Sequence, residues 1–590
     1  MRFGRVGTVL SVAGAATVAL GLGTPASAAA AIAVYPTAGT LSASPRSQIS
    51  FRGLPLPAAV TVTGSVTGAH GGHLAMHSDG KGESFIPNTA FAPGEQVSVQ
   101  ADQPLVGQQA GKVTFTIFVA PSGGAPPQVI TDPGGTPKQT LRFHTRRGLH
   151  PPGIQVLRRR AGLARGLVFV GVKNGPGQDG PMILDSRGRL VFFKPTPTNT
   201  AALDFRAQTY LGKPVLTWWQ GRIFFPGLGD GVGVIYDNTY RKIAQVQMAG
   251  GYRTDLHEFQ ITPQNTTFLL SYVPVAADLT KVGGPATGGF TLDSIIQEID
   301  IRTGLVEWEW HSYGNVPLED GDARYNPMRK LPVDAIHVNS VEPQPNGDVL
   351  ISGRNTNAVY LADRATGHLL WTLGGHRSDF AMGPGTRFVG QHDAHRLPNG
   401  DITVYDNGSG LFITRRPSQG LVIHVDMAAK TATLVRRYRH PTHLWVDSQG
   451  NFQHLPSNGF FTGWGGSSPL FTEFGAGGKV LFDARFTVHS DDTYRAYRLP
   501  WSGQPAKPPD VAAKRRGGVT RVWASWNGAT TVSRWRVLGG NGPGSLVGLR
   551  TVRKAGFETE IDLSGTPRFV AVQALGPAGH VLGTSKAVQP

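Results

Sequence analysis

Three histidines of this chain stand just before apolar segments that lead into polar turns. They are His257 in the run DLHEF, His337 in DAIHVNS and His392 in GQHDAH. A neutral imidazole can act as a nucleophile or a base, and a protonated imidazole binds anions. One such histidine alone is commonly a structural residue that hydrogen-bonds its neighbours. Three that converge would form a functional cluster.

An arginine accompanies these histidines. Arg354 lies 17 residues after His337, within the small polar sequence SGRNTN. An arginine on a strand normally faces solvent. Near a histidine cluster, however, the fork of guanidinium donors suits sulfate or phosphate. The pattern therefore predicts an anion-binding pocket.

Other kinds of site have weaker support. Glu258, Asp334 and Asp393 lie close to the histidines in sequence, so a metal site is an alternative, although no HExxH spacing occurs and a nearby arginine opposes a divalent cation. The chain has no cysteine, which excludes thiol catalysis and cysteine-ligated zinc. Only a fragment of a Gly-x-Ser-x-Gly motif occurs, at 408–410, and no nucleotide-binding fingerprint is present.

A diverged repeat should position these side chains. The phrase Pro-Asn-Gly-Asp followed by an apolar strand occurs at 345–352 and again 53 residues later at 398–405. Looser copies start at Pro263 and Pro456. Units of about 50 residues with four strands each are typical of β-propeller blades. We place six units at 164–200, 208–250, 257–312, 337–375, 392–440 and 450–487, the third enlarged by an insertion at about 274–293.

In a propeller the first strand of each blade lines the central channel. His257, His337 and His392, taken as occupying one repeat position, are therefore expected to converge at the mouth of that channel.

Composition agrees with an all-β chain. Among 590 residues there are 78 Gly and 43 Pro, which disfavour long helices, and the proportions exclude collagen, coiled coils and intrinsic disorder. We expect an N-terminal β-sandwich over 29–121, a Gly/Pro linker over 122–140, a six-bladed β-propeller over 141–500 and a C-terminal sandwich over 515–590. The last of these resembles a fibronectin type III domain.

The N-terminus predicts export. Arg2 and Arg5 precede a weakly apolar stretch that ends in Ala26-Ser27-Ala28, which is typical of a signal peptide covering 1–28. An uncleaved membrane anchor is the alternative. The net charge of +17 is scattered and accompanies no nucleic-acid motif, so it favours anionic substrates or surfaces. Contact with the cell envelope and formation of a dimer are equal alternatives for the N-terminal sandwich, and the oligomeric state is left open.

These motifs together resemble the bacterial arylsulfotransferase family, which moves sulfate between phenols without the nucleotide donor PAPS. The resemblance covers about 160–490 and rests on residues 255–258, 335–340, 352–354 and 391–394. It implies a six-bladed propeller that needs neither a cofactor nor a metal. Its partners would be an aryl sulfate donor and a phenolic acceptor.

The same resemblance implies roles for individual residues. His392 would be the nucleophile that forms a sulfohistidine in a ping-pong reaction. His257, His337 and Arg354 would bind the sulfuryl oxygens, and substrate binding would also involve the residues Asn339 and His395. A nearby histidine would be the base for the acceptor phenol. The alternatives are a non-catalytic, ligand-binding propeller and a metal-dependent hydrolase or oxidoreductase.

Overall fold

The computed structural model describes residues 31–121, 129, 140–224, 227–329, 331–411, 416–466, 468 and 470–590. The predicted signal peptide, 1–28, lies outside these residues, as does nearly all of the predicted linker. The chain is all-β, as expected, and the described helical elements are two single turns of 3₁₀ helix, Thr280–Val282 and Leu318–Asp320. In the described part of the chain no helix is long and apolar enough to cross a membrane.

Two four-stranded sheets form the N-terminal region. Their strands are β1 (Ala33–Tyr35), β2 (Ile49–Arg52), β3 (Val60–Gly64), β4 (Gly68–Ala69), β5 (Gly72–Met76), β6 (Gly82–Pro87), β7 (Gln96–Ala101) and β8 (Val113–Thr116). The strand orders are β1-β2-β6-β5 and β4-β3-β7-β8. Both sheets contribute to one buried cluster that includes Phe51, Phe85, Val97 and Phe115, so they pack face to face.

Six sheets follow along the chain, and their described strands pair antiparallel except for one two-residue parallel pair in the fifth sheet. The first sheet contains β10 (Leu167–Lys173), β11 (Gly180–Leu184) and β12 (Leu190–Phe193). The second contains β13 (Ala201–Tyr210), β14 (Lys213–Phe224), β15 (Leu228–Tyr236) and β16 (Lys242–Val246). The third contains β17 (Phe259–Ile261), β18 (Thr266–Ala277), β19 (Gly289–Asp300) and β20 (Val306–His311). The expected insertion at about 274–293 covers the end of β18, the start of β19 and the segment that joins them.

The fourth sheet contains β21 (Val338–Pro343), β22 (Val349–Gly353), β23 (Ala358–Ala362) and β24 (Leu369–Gly374). The fifth contains β25 (Ala381–Met382), β26 (His392–Arg396), β27 (Ile402–Asp406), β28 (Gln419–Asp426) and β29 (Thr431–Arg439). The sixth contains β30 (Asn451–His454), β31 (Phe460–Gly463), β32 (Leu470–Phe474) and β33 (Val480–Phe486).

Two strands connect the ends of this series. β34 (Asp492–Leu499), which follows the sixth sheet in sequence, pairs with β10 in the first sheet. β9 (Ile154–Arg159), which precedes the first sheet, pairs with β33 in the sixth. The beginning and the end of this region therefore hold each other in place through backbone hydrogen bonds.

The repeated turn forms because its residues tolerate a left-handed backbone. Gly347 and Gly400 have φ values of +97° and +91°, and Asn265 and Asn458 in the looser copies have +66° and +57°. Glycine and asparagine are the residues that adopt such angles at low energetic cost. The repeated turn thus joins β17 to β18, β21 to β22, β26 to β27 and β30 to β31, one hairpin in each of four sheets.

Each sheet is buried on both faces. In β22, Val349 and Ile351 pack in a cluster with the third sheet, whereas Leu350 packs in a cluster with the fifth. Every pair of successive sheets shares one such apolar cluster, and the sixth sheet shares one with the first. Side chains that alternate between the two faces of a strand produce this arrangement.

The C-terminal region contains two more sheets. Their strands are β35 (Asp510–Arg516), β36 (Val519–Ser525), β37 (Arg534–Gly540), β38 (Val547–Arg553), β39 (Glu558–Ser564), β40 (Phe569–Leu575) and β41 (Val581–Thr584). The orders are β35-β36-β39 and β38-β37-β40-β41, around a core that includes Trp535. This region is attached to the first sheet by hydrogen bonds between Asn527 and the backbone of Phe193.

A buried ion-pair network lies where the first strands of the sheets meet. Arg495 of β34 is fully buried and pairs with Asp204 and Glu258, each at 3.3 Å. It also donates to the carbonyl oxygen of Asn339 at 3.0 Å. Arg206 pairs with the same two carboxylates at 3.0 and 2.7 Å. Residues from the first, second, third and fourth sheets are therefore joined by one charged cluster.

We predict that Arg495→Ala lowers the free energy of unfolding by about 3–5 kcal/mol, because it leaves two buried carboxylates with less compensation. Urea denaturation followed by near-UV circular dichroism measures this loss. Arg521→Ala is the matched control, since its pair with Asp562 has side chains 48% and 47% exposed; it should change nothing measurable. Equal stability of the two variants would contradict the structural role of Arg495.

Candidate active site

His392, the first residue of β26, is 2% exposed. Its Nδ1 lies 2.7 Å from the side-chain oxygen of Asn407 and 3.1 Å from the carbonyl oxygen of Gly390. The amide nitrogen of Asn407 donates to the carbonyl oxygen of Gln449, so its oxygen must be the acceptor for histidine. Nδ1 therefore carries the proton, and the lone pair of the imidazole is on Nε2.

The surroundings keep this imidazole neutral. Burial lowers the pKa of His392 well below its ordinary value, and the positive charge of Arg354 lowers it further. Charge on His257 and His337 acts in the same direction, which brings all four side chains into one electrostatic neighbourhood. A neutral, buried imidazole with a fixed tautomer is suited to nucleophilic attack.

Arg354 follows directly after β22 and leaves its charge available. Its backbone N–H donates to the carbonyl oxygen of His337 at 2.9 Å. The guanidinium donates to the side-chain oxygen of Asn355 at 2.9 Å and to the carbonyl oxygen of Asp447 at 3.1 Å, both neutral acceptors. Among the described residues it forms no ion pair. The carboxylates of Asp334 and Asp447 act on its charge without contacting it, so an anion entering this site would meet a guanidinium with no carboxylate partner in direct contact.

His257 is held by a carboxylate. Its Nδ1 donates to Asp255, which also accepts the backbone N–H of His257 at 3.0 Å. Burial lowers the pKa of His257, and the negative charge of Asp255 opposes that shift. Asp255 in turn accepts the backbone N–H of Gly229 at 2.6 Å, so its position is fixed by the second sheet.

His337 is held in the same way and lies against His257. Its Nδ1 donates to Asp334 at 2.6 Å, and the two imidazole centroids are 4.9 Å apart, edge to face. His337 has a φ of +55°, an angle that few residues other than glycine and asparagine adopt. No described residue hydrogen-bonds to Nε2 of either histidine. Both Nε2 atoms are therefore available to a ligand.

Tyr272 of β18 completes this part of the site. Its ring lies 5.5 Å from that of His257 and 5.2 Å from that of His337, and its hydroxyl donates to the carbonyl oxygen of Val338. Burial raises the pKa of Tyr272 well above its ordinary value. The side chain of Tyr272 is therefore neutral, and its ring packs against both imidazoles.

The repeat positions of the three histidines differ in one respect from the sequence expectation. Counting back from the turn prolines Pro263, Pro345 and Pro398, the residue six positions earlier is His257, Asn339 or His392. His337 lies two residues before Asn339, so the three histidines do not share one position. The left-handed backbone at His337 accompanies this offset.

Asn339 lies between the catalytic candidates and the ion-pair network. Its side-chain N–H donates to the carbonyl oxygen of Gln391 at 2.7 Å. Its side-chain oxygen is buried and has no hydrogen-bond partner in the described part of the chain.

His395 is not brought into the cluster. Its ring nitrogens lie 2.9 Å from Glu342 and 3.2 Å from Asp393. Burial would lower the pKa of His395, but the two carboxylates raise it well above the ordinary value. It lines a separate cavity of about 750 Å³ with Arg206 and Gln453, and none of the other proposed site residues lines that cavity. His395 is thus a cation in a structural network.

Sequence reasoning missed Asn407, Tyr272 and the backbone N–H of Gln449, which donates to Nε2 of His392 at 3.1 Å. A signal for the first two was present. Tyr272, Arg354 and Asn407 are separated by 82 and 53 residues, the same intervals that separate the three turn prolines. One repeat position therefore supplies a site residue from each of three sheets.

The geometry brings a neutral imidazole, two carboxylate-held imidazoles and a guanidinium together on an all-β scaffold. No group of three or more His, Asp or Glu side chains within the described ranges is arranged to hold a metal ion. Residues 206–487 match the sequence model of the arylsulfotransferase (ASST) family. The family resemblance expected from the motifs is confirmed.

Solved structures give weaker likenesses. A Bacteroides caccae protein of unknown function is 12% identical, with a TM-score of 0.34, over 56% of this chain and 98% of its own. An auxiliary nutrient binding protein from Bacteroides ovatus is 12% identical, with a TM-score of 0.28, over 85% and 96%. Kuenenia stuttgartiensis hydrazine synthase is 10% identical, with a TM-score of 0.29, over 72% and 68%. Such low scores carry no argument here. No curated protein matches the chain.

We predict that Asn407→Asp raises the pKa of His392 by about 1–3 units, because a carboxylate beside Nδ1 favours the imidazolium. The ¹⁵N shifts of labelled histidine, assigned with His392→Ala, measure the titration. Asn346→Asp, in an exposed turn, is the control that should leave it unchanged. An unaltered midpoint in Asn407→Asp would show that residue 407 does not hold Nδ1.

Proposed function

We propose that this protein transfers a sulfuryl group from an aryl sulfate to a phenol by a ping-pong reaction through a sulfohistidine at His392, with no nucleotide donor. One observation carries the proposal: Asn407 fixes the proton of a buried, neutral His392 on Nδ1, leaving the lone pair on Nε2. The match to the arylsulfotransferase family supports the reaction class.

In the first half-reaction Nε2 of His392 attacks the sulfur of the donor. The N–S bond forms while the S–O bond to the aryl group breaks, and the phenolate leaves with the electron pair. The imidazole becomes a positively charged N-sulfo ring that keeps its proton on Nδ1. The oxygens of Asn407 and Gly390 face that proton, so they stabilise the charge that develops on the ring.

Arg354 supplies the charge that holds the sulfuryl oxygens. Its guanidinium is hydrogen-bonded only to neutral oxygens, so its remaining N–H groups can face the anionic group. His257 and His337 present their Nε2 atoms beside it. Binding of an anion would raise the pKa of His257 and convert its Nε2 to a hydrogen-bond donor.

The N–H of Gln449 must leave Nε2 before attack is possible, because that hydrogen bond uses the nucleophilic lone pair. This contact is the observation that favours the second candidate, a ligand-binding protein without catalysis. In that case the hydrogen bond would persist when an aryl sulfate is bound. In the transferase, the arriving sulfuryl group displaces it.

In the second half-reaction an acceptor phenol gives its proton to a base and attacks the sulfur. The N–S bond then breaks, and the lone pair returns to His392. We assign the base to His337, whose Nδ1–H is held by Asp334 and whose side chain is 13% exposed, against 5% for His257. An acceptor that enters from solvent reaches the more exposed imidazole.

The scaffold we propose is a six-bladed β-propeller between two β-sandwiches. The apolar clusters shared by successive sheets, including the sixth with the first, support a ring. The pairing of β34 with the first sheet supports closure by the end of the chain. The two-sheet regions at 31–121 and 510–590 support flanking sandwiches.

Export of the mature protein is part of the proposal. It rests on the N-terminal sequence alone, which has Arg2 and Arg5, an apolar stretch and an Ala-Ser-Ala cleavage site. N-terminal sequencing of protein recovered outside the cytoplasm should begin at Ala29. A chain that keeps residues 1–28 would support the anchor instead.

We predict that mixing the protein with a chromogenic aryl sulfate releases a burst of phenolate equal to the enzyme concentration. Sustained turnover should then require a phenol, because the sulfohistidine must be discharged. His392→Ala should abolish the burst. His424→Ala, whose side chain is 56% exposed, is the matched control and should retain it.

Two results would contradict this scheme. One is turnover by folded His392→Ala at the wild-type rate. The other is the absence of a burst from wild type with several aryl sulfates, which would favour the binding protein.

We further predict that His337→Asn preserves the burst but slows discharge to weakly acidic phenols by about 10²- to 10⁴-fold. Asparagine is chosen because it tolerates the positive φ of residue 337. Strongly acidic phenols, which are already ionised, should discharge the enzyme at nearly the wild-type rate. An equal loss for all acceptors, measured by stopped flow, would assign residue 337 to binding rather than to proton transfer.

A further inference from the structure

A second cleft lies on the side of the scaffold, against the C-terminal region. This lateral cleft has a volume of about 420 Å³, and it shares no residue with the histidine cluster. Its walls come from the first two propeller sheets and from the segment that enters the C-terminal sheets. The lining residues used below are Phe192, Lys194, Tyr236, Tyr240, Lys507 and Trp526.

Hydrogen bonds hold the two walls together. The hydroxyl of Tyr240 donates to the carbonyl oxygen of Gly528 at 2.7 Å and accepts from the indole N–H of Trp501 at 2.9 Å. Within the C-terminal wall, the indole N–H of Trp526 donates to the carbonyl oxygen of Lys507 at 2.6 Å. Because both walls are tied by side-chain and backbone bonds, the cleft is formed before a ligand arrives.

One part of the lining is aromatic. Phe192 and Tyr240 stack with their centroids 4.4 Å apart, and Tyr236 stacks on Trp218 at 4.6 Å. Trp526 belongs to the same lining and is 6% exposed. Aromatic walls of this kind favour a flat ring over a flexible aliphatic chain.

The other part of the lining is cationic. Lys194 and Lys507 form no ion pair with any carboxylate of the described chain, and no aspartate or glutamate lines the cleft. Burial and the charge of Lys507 lower the pKa of Lys194, so the two amines repel each other. Arg146, which also lines the cleft, is neutralised by Asp510 at 2.7 Å. An anion between the lysines would relieve their repulsion.

We propose that the lateral cleft binds a small aromatic anion, whose ring packs against Tyr236 and Tyr240 and whose charged group lies between Lys194 and Lys507. The class includes aryl sulfates, aryl carboxylates and aryl phosphates. The site is separate from the histidine cluster and does not depend on the function proposed for it. The volume suits a ligand of one or two rings.

Calorimetric titration with 2-naphthalenesulfonate tests this site, because a sulfonate has no aryl S–O bond that the histidine cluster could transfer. The full chain carrying Arg354→Gln should still bind the probe. Lys194→Gln combined with Lys507→Gln should weaken binding about tenfold or more, since each lysine provides a charged hydrogen bond. Lys281→Gln, at a side chain 73% exposed elsewhere, is the matched control and should bind like wild type.

A second variant guards against misfolding: Lys507→Glu changes only an exposed side chain and should also weaken binding. Methanesulfonate, which has the charge but no ring, should bind much more weakly than the aromatic probe. Unchanged affinity in the lysine variants, or equal affinity for methanesulfonate, would overturn the proposal. The titration measures binding and needs no turnover. It therefore tests the lateral cleft even if the protein has no sulfotransferase activity.

Discussion

The arrangement of this protein depends on a charge cluster in which fully buried Arg495 pairs with Asp204 and Glu258 from two other sheets. Burial alone would lower the pKa of this arginine, but the carboxylates raise it well above its ordinary value. Such a network contributes little net stability, because desolvation offsets attraction. Its geometric effect is larger, since it aligns the segment before β17 that carries His257 with the strand β21 that carries Asn339.

The charge cluster around Arg495 also separates two electrostatic environments. On one side, carboxylates compensate Arg495 and make His395 cationic. On the other, Arg354 meets only neutral oxygens, and His392 is held by an amide instead of a carboxylate. Burial and the charge of Arg354 keep His392 neutral, and no carboxylate partner opposes them there, whereas His257 and His337 each contact an aspartate. The hydrogen-bond partner of Nδ1 thus distinguishes His392 from His257 and His337.

Sequence patterns predicted the all-β class, the repeat and the candidate residues His257, His337, His392 and Arg354. Turn-forming residues and reactive side chains can be recognised within a short stretch of sequence, without knowledge of long-range contacts. Asn407 lies 53 residues after Arg354, so the interval between the two turn prolines, counted from Arg354, would have indicated it. The amide of Gln449 has no such signal, since any residue offers a backbone N–H. The structural place of His395 depends on Glu342, 53 residues away, and a register shift between His392 and His395 moves it out of the alternation.

The most direct test of the account is to locate the sulfuryl group. Protein mixed with an aryl sulfate without acceptor, quenched in alkali and digested, should yield one peptide heavier by an SO₃ group, with the modification on the ring of His392. Addition of a phenol before quenching should remove it. Modification of another residue, or an unmodified His392 in protein that has released phenolate, would contradict the central claim.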